Sequence, residues 1–123
     1  MTDTKLLGRL GEAAAAEFLR KKGFELLGLN YRTRLGEIDV IASKGRFVVF
    51  AEVKTRRSDA FANAREYVTR AKQLRIIAAA SSWLQSNECT LQPRFDVIEV
   101  YLPQGADTRD PEIRHWENAF SAD

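Results

Sequence analysis

The chain has 123 residues, of which 45% are hydrophobic and 29% are charged, and these values are close to the averages for globular domains. They exclude collagen-like, coiled-coil, disordered and disulfide-rich chains. The single cysteine, Cys89, excludes an internal disulfide and a zinc cage built from cysteines. With one histidine, His115, hydrolytic chemistry is expected to use carboxylates, lysine and hard metal ions.

Membrane insertion and secretion are not expected. No stretch approaches the roughly 20 apolar residues that cross a membrane. The N-terminus lacks the basic start and apolar middle of a signal peptide. We therefore expect a cytoplasmic protein without a membrane partner, with residues 1–123 forming a single domain.

Positive charge is concentrated in one part of the chain. Residues 20–75 contain 14 Lys and Arg and 6 Asp and Glu, a net charge of +8. Residues 1–19 carry −1 and residues 76–123 carry −5. Such a block favours a surface for a polyanion such as a nucleic acid. An ordinary solvated surface of lysine and arginine, with an acidic C-terminal part, accounts for the charge equally well.

The predicted elements alternate between helix and strand in chain order. A helix over residues 5–22, with Leu7, Leu10 and Phe18 at helical spacing, ends at Gly23. Strands follow over residues 24–29, 37–42 and 46–54, the last two joined by turn residues 43–45. After an irregular or weakly helical segment, 58–68, Thr69 caps a helix over 70–85, with strands at 94–102 and 112–116. This order predicts an α/β fold with a central mixed sheet flanked by helices.

Asp39, Glu52 and Lys54 form the most informative group of polar residues. Glu52 and Lys54 are two positions apart on one predicted strand and therefore share a face. A two-residue turn at Lys44-Gly45 would pair Asp39 with Phe50 and put Asp39 on that same face. A four-residue loop would also put Asp39 on the face of Glu52 and Lys54, whereas a three-residue loop without a bulge would put it on the opposite face.

Two neighbouring carboxylates in an apolar sheet indicate a specific chemistry. Their charges repel, and their natural partner is a hard divalent cation with oxygen ligands. Such a cation polarises a phosphodiester and lowers the pKa of a bound water, while Lys54 is placed to stabilise developing negative charge. The alternative is a structural ion pair of Lys54 with Glu52 or Asp39 at the end of the sheet.

Several motifs in order carry a resemblance to one family. They are Gly8-Arg9 and Gly11-Glu12, Asn30-Tyr31-Arg32, Gly36-Glu37-Ile38-Asp39, Val49-Phe50-Ala51-Glu52-Val53-Lys54-Thr55-Arg56, Arg94-Phe95-Asp96-Val97 and Asn118-Ala119-Phe120. Over roughly residues 8–120 the chain resembles the YraN family of bacterial endonuclease-like proteins. That family is similar to the restriction-endonuclease-like PD-(D/E)xK superfamily, and within it to archaeal Holliday junction resolvases. Ile38 stands where the superfamily's name has proline, and resolvase-like members also lack that proline.

The resemblance implies a restriction-endonuclease-like fold and Mg²⁺-dependent or Mn²⁺-dependent hydrolysis of DNA. By position, Asp39 is the motif aspartate, Glu52 and Lys54 are the ExK pair, and Glu12 is the acid of the first helix. All four are expected to be catalytic, with Asp39, Glu52 and Glu12 binding the metal. Helical periodicity alone puts Glu12 away from the apolar stripe, as a solvated glutamate. Because related resolvases act as dimers, a homodimer on branched DNA is also expected.

Seven basic side chains are candidates for contacts with nucleic acid. Such contacts to phosphate are independent of sequence and sensitive to salt, and the first turn of the second helix would attract phosphate. The candidates are Arg32, Arg34, Arg56, Arg57, Arg70, Lys72 and Arg75. Glu37, on the same predicted strand as Asp39, is either a further acid of the site or a partner of Arg34 or Arg56 at the end of the sheet, and the pairing is favoured.

Three functions are compatible with these sequence features. The first is a divalent-metal-dependent endonuclease that hydrolyses phosphodiesters in structured or branched DNA. The alternative is a nucleic-acid-binding module whose nuclease site is weak or unused. A third reading, a scaffold for protein interactions, predicts no salt-dependent affinity for DNA.

Overall fold

The computed structural model describes residues 4–57 and 68–123. Its elements are helix α1 (Thr4–Lys21), strands β1 (Glu25–Arg32), β2 (Glu37–Lys44) and β3 (Phe47–Arg56), helix α2 (Arg70–Ser86), and strands β4 (Gln92–Tyr101) and β5 (Glu112–Phe120). A short 3-10 turn, Gly105–Asp107, lies between β4 and β5. The predicted irregular segment lies, except for Val68, outside the described residues.

The five strands form one mixed sheet in the order β1-β2-β3-β4-β5. Strands β3 and β4 are parallel, and every other neighbouring pair is antiparallel. Helix α1 packs on one face and α2 on the other, and each covers its own apolar cluster. The predicted α/β architecture is thereby confirmed, and it is consistent with a restriction-endonuclease-like fold.

Strand β3 is the centre of the sheet and is apolar on both faces. Val49 and Ala51 belong to the cluster beneath α1, whereas Val48 and Phe50 belong to the cluster beneath α2. All four are at most 1% exposed. A continuous apolar run is what a strand covered on both sides requires. The polar residues that end β3, from Glu52 onward, therefore lie where the apolar layers finish.

The buried face of α1 differs from the stripe predicted from the large apolar residues. Its buried residues are Gly11, Ala15, Ala16 and Leu19, while Leu10 is 36% exposed. Small side chains bring the helix close to the sheet, and the larger ones lie along the edge of the contact. Glu12 is in the same helical row as Ala15, Ala16 and Leu19. It is half-buried, so the expectation of a solvated glutamate from periodicity was wrong.

Two glycines of α1 give opposite predictions for the same substitution. A Cβ at Gly11 would collide with the side chain of Thr55, whose Cβ would be 3.0 Å away, whereas a Cβ at Gly8 would meet nothing within 4 Å. We expect Gly11→Ala to reduce the free energy of unfolding by about 1–3 kcal/mol through overpacking. Gly8→Ala should increase it by about 0.5–1 kcal/mol, because alanine favours helix. Urea denaturation of both variants measures this, and changes of the same sign would contradict it.

Strand ends depart from the predictions where tertiary pairing extends the strands. Strand β1 continues to Arg32 because Tyr31 pairs with Ile38 and Arg32 with Glu37. The last strand has nine residues rather than five. The N-cap of α2 is confirmed, since the backbone N–H of Lys72 donates to Thr69 Oγ1 at 3.2 Å.

Helix α2 packs on the sheet through one row of its residues. Leu74 is 51% exposed, whereas Ile77 and Leu84 are partly buried against the cluster beneath α2. The buried row is Ile76, Ala79, Ala80 and Trp83. Within the described ranges, no helix is both long enough and apolar enough to cross a membrane.

Candidate functional site

The register of the β2–β3 hairpin determines whether Asp39 and Glu52 share a face. Lys44 pairs with Phe47 and Val40 with Ala51, so the turn is Gly45-Arg46 rather than Lys44-Gly45. Phe50 pairs with Ile41, so the predicted pairing of Asp39 with Phe50 was wrong, and the paired residues end at Val40 and Ala51, one position before Asp39 and Glu52. Both turns have two residues, so within the paired part of the hairpin the shift preserves which face each side chain occupies.

Asp39 is fixed at the open end of this hairpin by the backbone of β3. Its Oδ2 atom accepts a hydrogen bond from the backbone N–H of Val53 at 2.8 Å. The carboxylate thereby serves as acceptor for a backbone donor just beyond the last paired residues, Val40 and Ala51. A side chain held in this way has a defined position beside Glu52.

The electrostatics of Asp39 show which charges surround it. Burial and the negative charge of Glu52 raise the pKa of Asp39 from 3.8 to about 7, against the lowering effect of the Val53 hydrogen bond. The charge of Glu12 raises this pKa further, and Lys72 lowers it. Glu12 is therefore near enough to act on Asp39 electrostatically.

Two lysines neutralise Glu52 from different elements. Glu52 is 5% exposed, and its Oε2 atom lies 2.7 Å from Lys72 Nζ and 3.9 Å from Lys54 Nζ. Burial alone would lower the pKa of Lys72, but the hydrogen bond to Glu52 and the charges of Glu52, Asp39 and Glu37 raise it. Lys72, predicted as a phosphate contact, is thus a charged neighbour of the acidic pair.

The donor set fits a divalent cation held by two carboxylates. Among residues 4–57 and 68–123, no three His, Cys, Asp or Glu side chains are close enough together to hold a metal ion. Mg²⁺, however, is commonly bound through one or two carboxylates together with water and substrate phosphate oxygens. Asp39 and Glu52 supply such a pair, and their ionised forms repel each other unless a positive charge lies nearby. In this structure the positive charge beside Glu52 comes from Lys72 and Lys54.

Some of the basic candidates have partners within the protein. Arg56 Nε donates to Glu99 at 3.0 Å, and both side chains are largely buried. The Arg70 guanidinium donates to the backbone carbonyl of Ser121 at 2.9 Å and so ties α2 to the C-terminal residues. Arg57 is exposed. Arg56 and Arg70 therefore have structural contacts in addition to any contact with a ligand.

The remaining basic candidates surround the turn between β1 and β2. Arg34 and Arg75 are exposed, and Gly36 packs so closely on α2 that an added Cβ would be 2.5 Å from the Arg75 carbonyl oxygen. Arg32 lies 3.5 Å from Glu37. The partner of Glu37 is thus Arg32, rather than Arg34 or Arg56 as predicted.

The chain is similar in sequence to one family of known proteins. Residues 11–100 match the family model described as Uncharacterised protein family UPF0102. The chain belongs to UPF0102. A UPF0102 protein of Alkaliphilus oremlandii is 45% identical over 119 residues, which cover 94% of this chain and 98% of the relative. A UPF0102 protein of Flavobacterium psychrophilum is 38% identical over 120 residues, covering 98% of each. UPF0102 is the YraN family, so the resemblance is confirmed.

A second polar cluster of this UPF0102 chain lies on the α1 face of the sheet. Asp96 is fully buried and accepts two hydrogen bonds from Arg94, at 2.9 and 3.0 Å. It also accepts one from the backbone N–H of Asn118 at 3.0 Å and lies 2.7 Å from His115 Nε2. Arg94 and Asp96 are two positions apart on β4 and therefore share a face, whereas the sequence gave no signal for His115 or Asn118.

The raised pKa of Asp39 predicts a pH-dependent effect of Asp39→Asn on this UPF0102 protein. Between about pH 4 and pH 7 the folded chain binds a proton at Asp39 that the unfolded chain releases, so stability falls as pH rises. The amide does not titrate, and its oxygen can still accept from Val53. We expect equal stability near pH 4 and a gain of about 1–3 kcal/mol for the variant above pH 7. Thermal unfolding across this range measures it, and a variant less stable than the original at pH 8 would contradict it.

Proposed function

We propose that this member of UPF0102 is a nuclease that hydrolyses phosphodiester bonds in structured or branched DNA with the help of Mg²⁺ or Mn²⁺. The observation that supports this best is the approach of Asp39 and Glu52 at the open end of a hairpin, with Lys54 and Lys72 beside them. Carboxylates and ammonium groups in this arrangement suit phosphate chemistry. By the same resemblance to resolvases, we propose that it acts as a homodimer, and we further propose that it acts in the cytoplasm.

Each residue of the site has a role in this proposal. Asp39 and Glu52 hold the cation, which when bound supplies polarisation of the phosphodiester and activation of water. The Val53 N–H keeps the Asp39 carboxylate oriented. Lys54 stabilises negative charge on the phosphate, because its ammonium group is half-buried and close to Glu52. Glu12, whose charge already acts on Asp39, completes or orients the ligand set.

Lys72 links substrate binding to the acidic pair. It lies in the first turn of α2, where the helix N-terminus favours phosphate, and it is hydrogen-bonded to Glu52. When a phosphate and a cation occupy the site, the cation neutralises Glu52, and Lys72 is no longer needed for that. Its ammonium group can then contact the phosphate, together with the exposed Arg34 and Arg75.

A second candidate function is a nucleic-acid-binding module with a weak or unused nuclease site. The 2.7 Å ion pair between Lys72 and Glu52 favours it, because an ammonium group already provides the charge that a cation would provide. The described residues also include no group of three metal-binding side chains. This module would bind DNA in a salt-dependent manner without cutting it.

The test is a cleavage assay with a panel of DNA structures. The protein is incubated with a four-way junction, a flap and a fully paired linear duplex, each with Mn²⁺ and with Mg²⁺, alongside Asp39→Ala. We expect cleavage of the junction or flap by the original protein and none by the variant. Cleavage that survives the substitution would come from a contaminant and would contradict the proposal. Binding without cleavage would favour the module.

A further inference from the structure

One exposed aromatic residue lies on the same face of the sheet as the acidic pair. Glu52 of β3 pairs with Val97 of β4, and Val97 pairs with Trp116 of β5. Residues paired in this way point to the same face. Adjacent strands are separated by about 4.8 Å, so the backbone of Trp116 is about 10 Å from that of Glu52. No sequence pattern singled out this alignment, because it depends on the pairing of three strands.

The Trp116 ring is held at one edge and exposed over most of its surface. Its indole N–H donates to Glu99 Oε1 at 2.9 Å, and Glu99 Oε2 accepts from Arg56 Nε at 3.0 Å. Trp116 is nevertheless 54% exposed, whereas the other tryptophan, Trp83, is 8% exposed in the core. A tethered ring loses little further freedom when a flat ligand packs on it.

The hydrogen bond from the Trp116 indole to Glu99 persists at neutral pH. Burial alone would raise the pKa of Glu99, but hydrogen bonds from Trp116 and Arg56 and the charge of Arg56 hold this pKa below its usual value. Glu99 is therefore an anion under physiological conditions and remains an acceptor for the indole. The ring is thus fixed in place by a stable contact.

A row of charged side chains lies next to this ring along the sheet, and each of its bases is bridged to an acid. Lys54 pairs with Glu99, and Glu99 pairs with Arg114, so a lysine and an arginine lie on the two sides of Glu99. Basic side chains interleaved with an exposed aromatic ring are typical of surfaces that bind single-stranded nucleic acid. A polynucleotide with one phosphate at the acidic pair would have a neighbouring base within reach of the ring, about 10 Å away.

We propose that Trp116 is a stacking platform for an unpaired nucleobase close to the phosphate bound at Asp39 and Glu52. The inference rests on the proposed function and narrows its substrate class to DNA with a single-stranded segment at the site, such as a flap or fork. A fully paired duplex keeps its bases stacked on each other and gains nothing from the ring. Trp116 is therefore a specificity-determining residue rather than a catalytic one.

The test measures binding with Ca²⁺ in place of Mg²⁺ or Mn²⁺, because Ca²⁺ takes the same oxygen ligands, and gels of the recovered probes verify that no cleavage occurs. The probes are a short single-stranded oligothymidine, a fork and a blunt duplex, each titrated against the full chain. We expect Trp116→Ala to weaken binding of the oligothymidine and the fork by about 10- to 100-fold and binding of the duplex by less than about threefold. Trp116→Phe, which keeps an aromatic ring without the N–H, should retain most of the affinity. Leu27→Ala, at an exposed leucine on the opposite edge strand, is the matched control and should have no effect.

Tryptophan fluorescence provides a second readout on the same samples. Oligothymidine should quench the emission of the original protein and leave that of Trp116→Phe unchanged, because only Trp83 remains there. Quenching that persists in Trp116→Phe, or an equal loss of affinity for single strand and duplex in Trp116→Ala, would overturn the inference. DNA binding that does not depend on Trp116 would overturn the inference alone. No binding of any probe would overturn the proposed function as well.

Discussion

Replacing Glu52 with glutamine will lower the rate of metal-dependent DNA cleavage by at least about 10³-fold, equivalent to about 4 kcal/mol in the barrier. The substitution keeps the size of the side chain but removes one of the two negative charges that would hold the cation. It also weakens the contact with Lys72, which lies 2.7 Å from the carboxylate. Initial rates on a flap substrate at saturating Mn²⁺ measure the effect, with circular dichroism as a check on folding.

Glu37→Gln is the matched control for this prediction. Glu37 acts electrostatically on the same lysine, Lys72, but its side chain is 59% exposed and pairs with Arg32 at the surface. Removing its charge should change the cleavage rate by less than about threefold, because exposed ion pairs contribute little. If the two glutamine variants had equal rates, Glu52 would have no particular role in cleavage.

Replacing Asp96 with alanine will reduce the free energy of unfolding by about 3–5 kcal/mol, because it removes the buried carboxylate that compensates Arg94 and accepts hydrogen bonds from two other groups. Asp96 is fully buried and joins Arg94, His115 and the Asn118 backbone. Hydrogen bonds from His115 and Arg94 keep the pKa of Asp96 below its usual value despite burial. Its contribution is therefore present above about pH 4 and is lost as the pH falls further.

Urea denaturation at neutral pH measures this loss, and two further variants calibrate it. Glu117→Ala removes a half-exposed acid that lies 3.7 Å from Arg94, and it should cost less than about 0.5 kcal/mol. Asp96→Asn keeps an acceptor for the Asn118 N–H, so its loss of unfolding free energy should lie between those of Asp96→Ala and Glu117→Ala. If Asp96→Ala were as stable as Glu117→Ala, the cluster would not hold β4 and β5 together.

The sequence was sufficient to predict the acidic pair because strand geometry is simple. Glu52 and Lys54 share a face in any strand, since side chains alternate with a period of two. Asp39 joins them with either two-residue turn that includes Gly45. The predicted register was wrong by one residue in each strand because Gly45, with φ of 59°, can take part in either turn. The prediction that Asp39 lies near Glu52 did not depend on that choice, and the charge of Glu52 does act on Asp39.

Other parts of the site could not be predicted because they depend on packing between distant elements. Lys72 reaches Glu52 only because α2 lies on the face toward which Glu52 points, and nothing in the local sequence determines that. The position of Glu12 was misjudged because the large apolar residues of α1 do not mark its most buried face. Trp116 is aligned with Glu52 only through two successive strand pairings.

The most direct test of the central claim is the binding of Mn²⁺ to the original protein and to Asp39→Asn, measured by isothermal titration calorimetry. The amide still accepts the hydrogen bond from Val53 but lacks the charge, so folding and ligand binding are separated. We predict one Mn²⁺ per chain for the original protein and affinity at least about tenfold weaker for the variant. Equal affinity in the two proteins, or no binding to the original, would contradict the account.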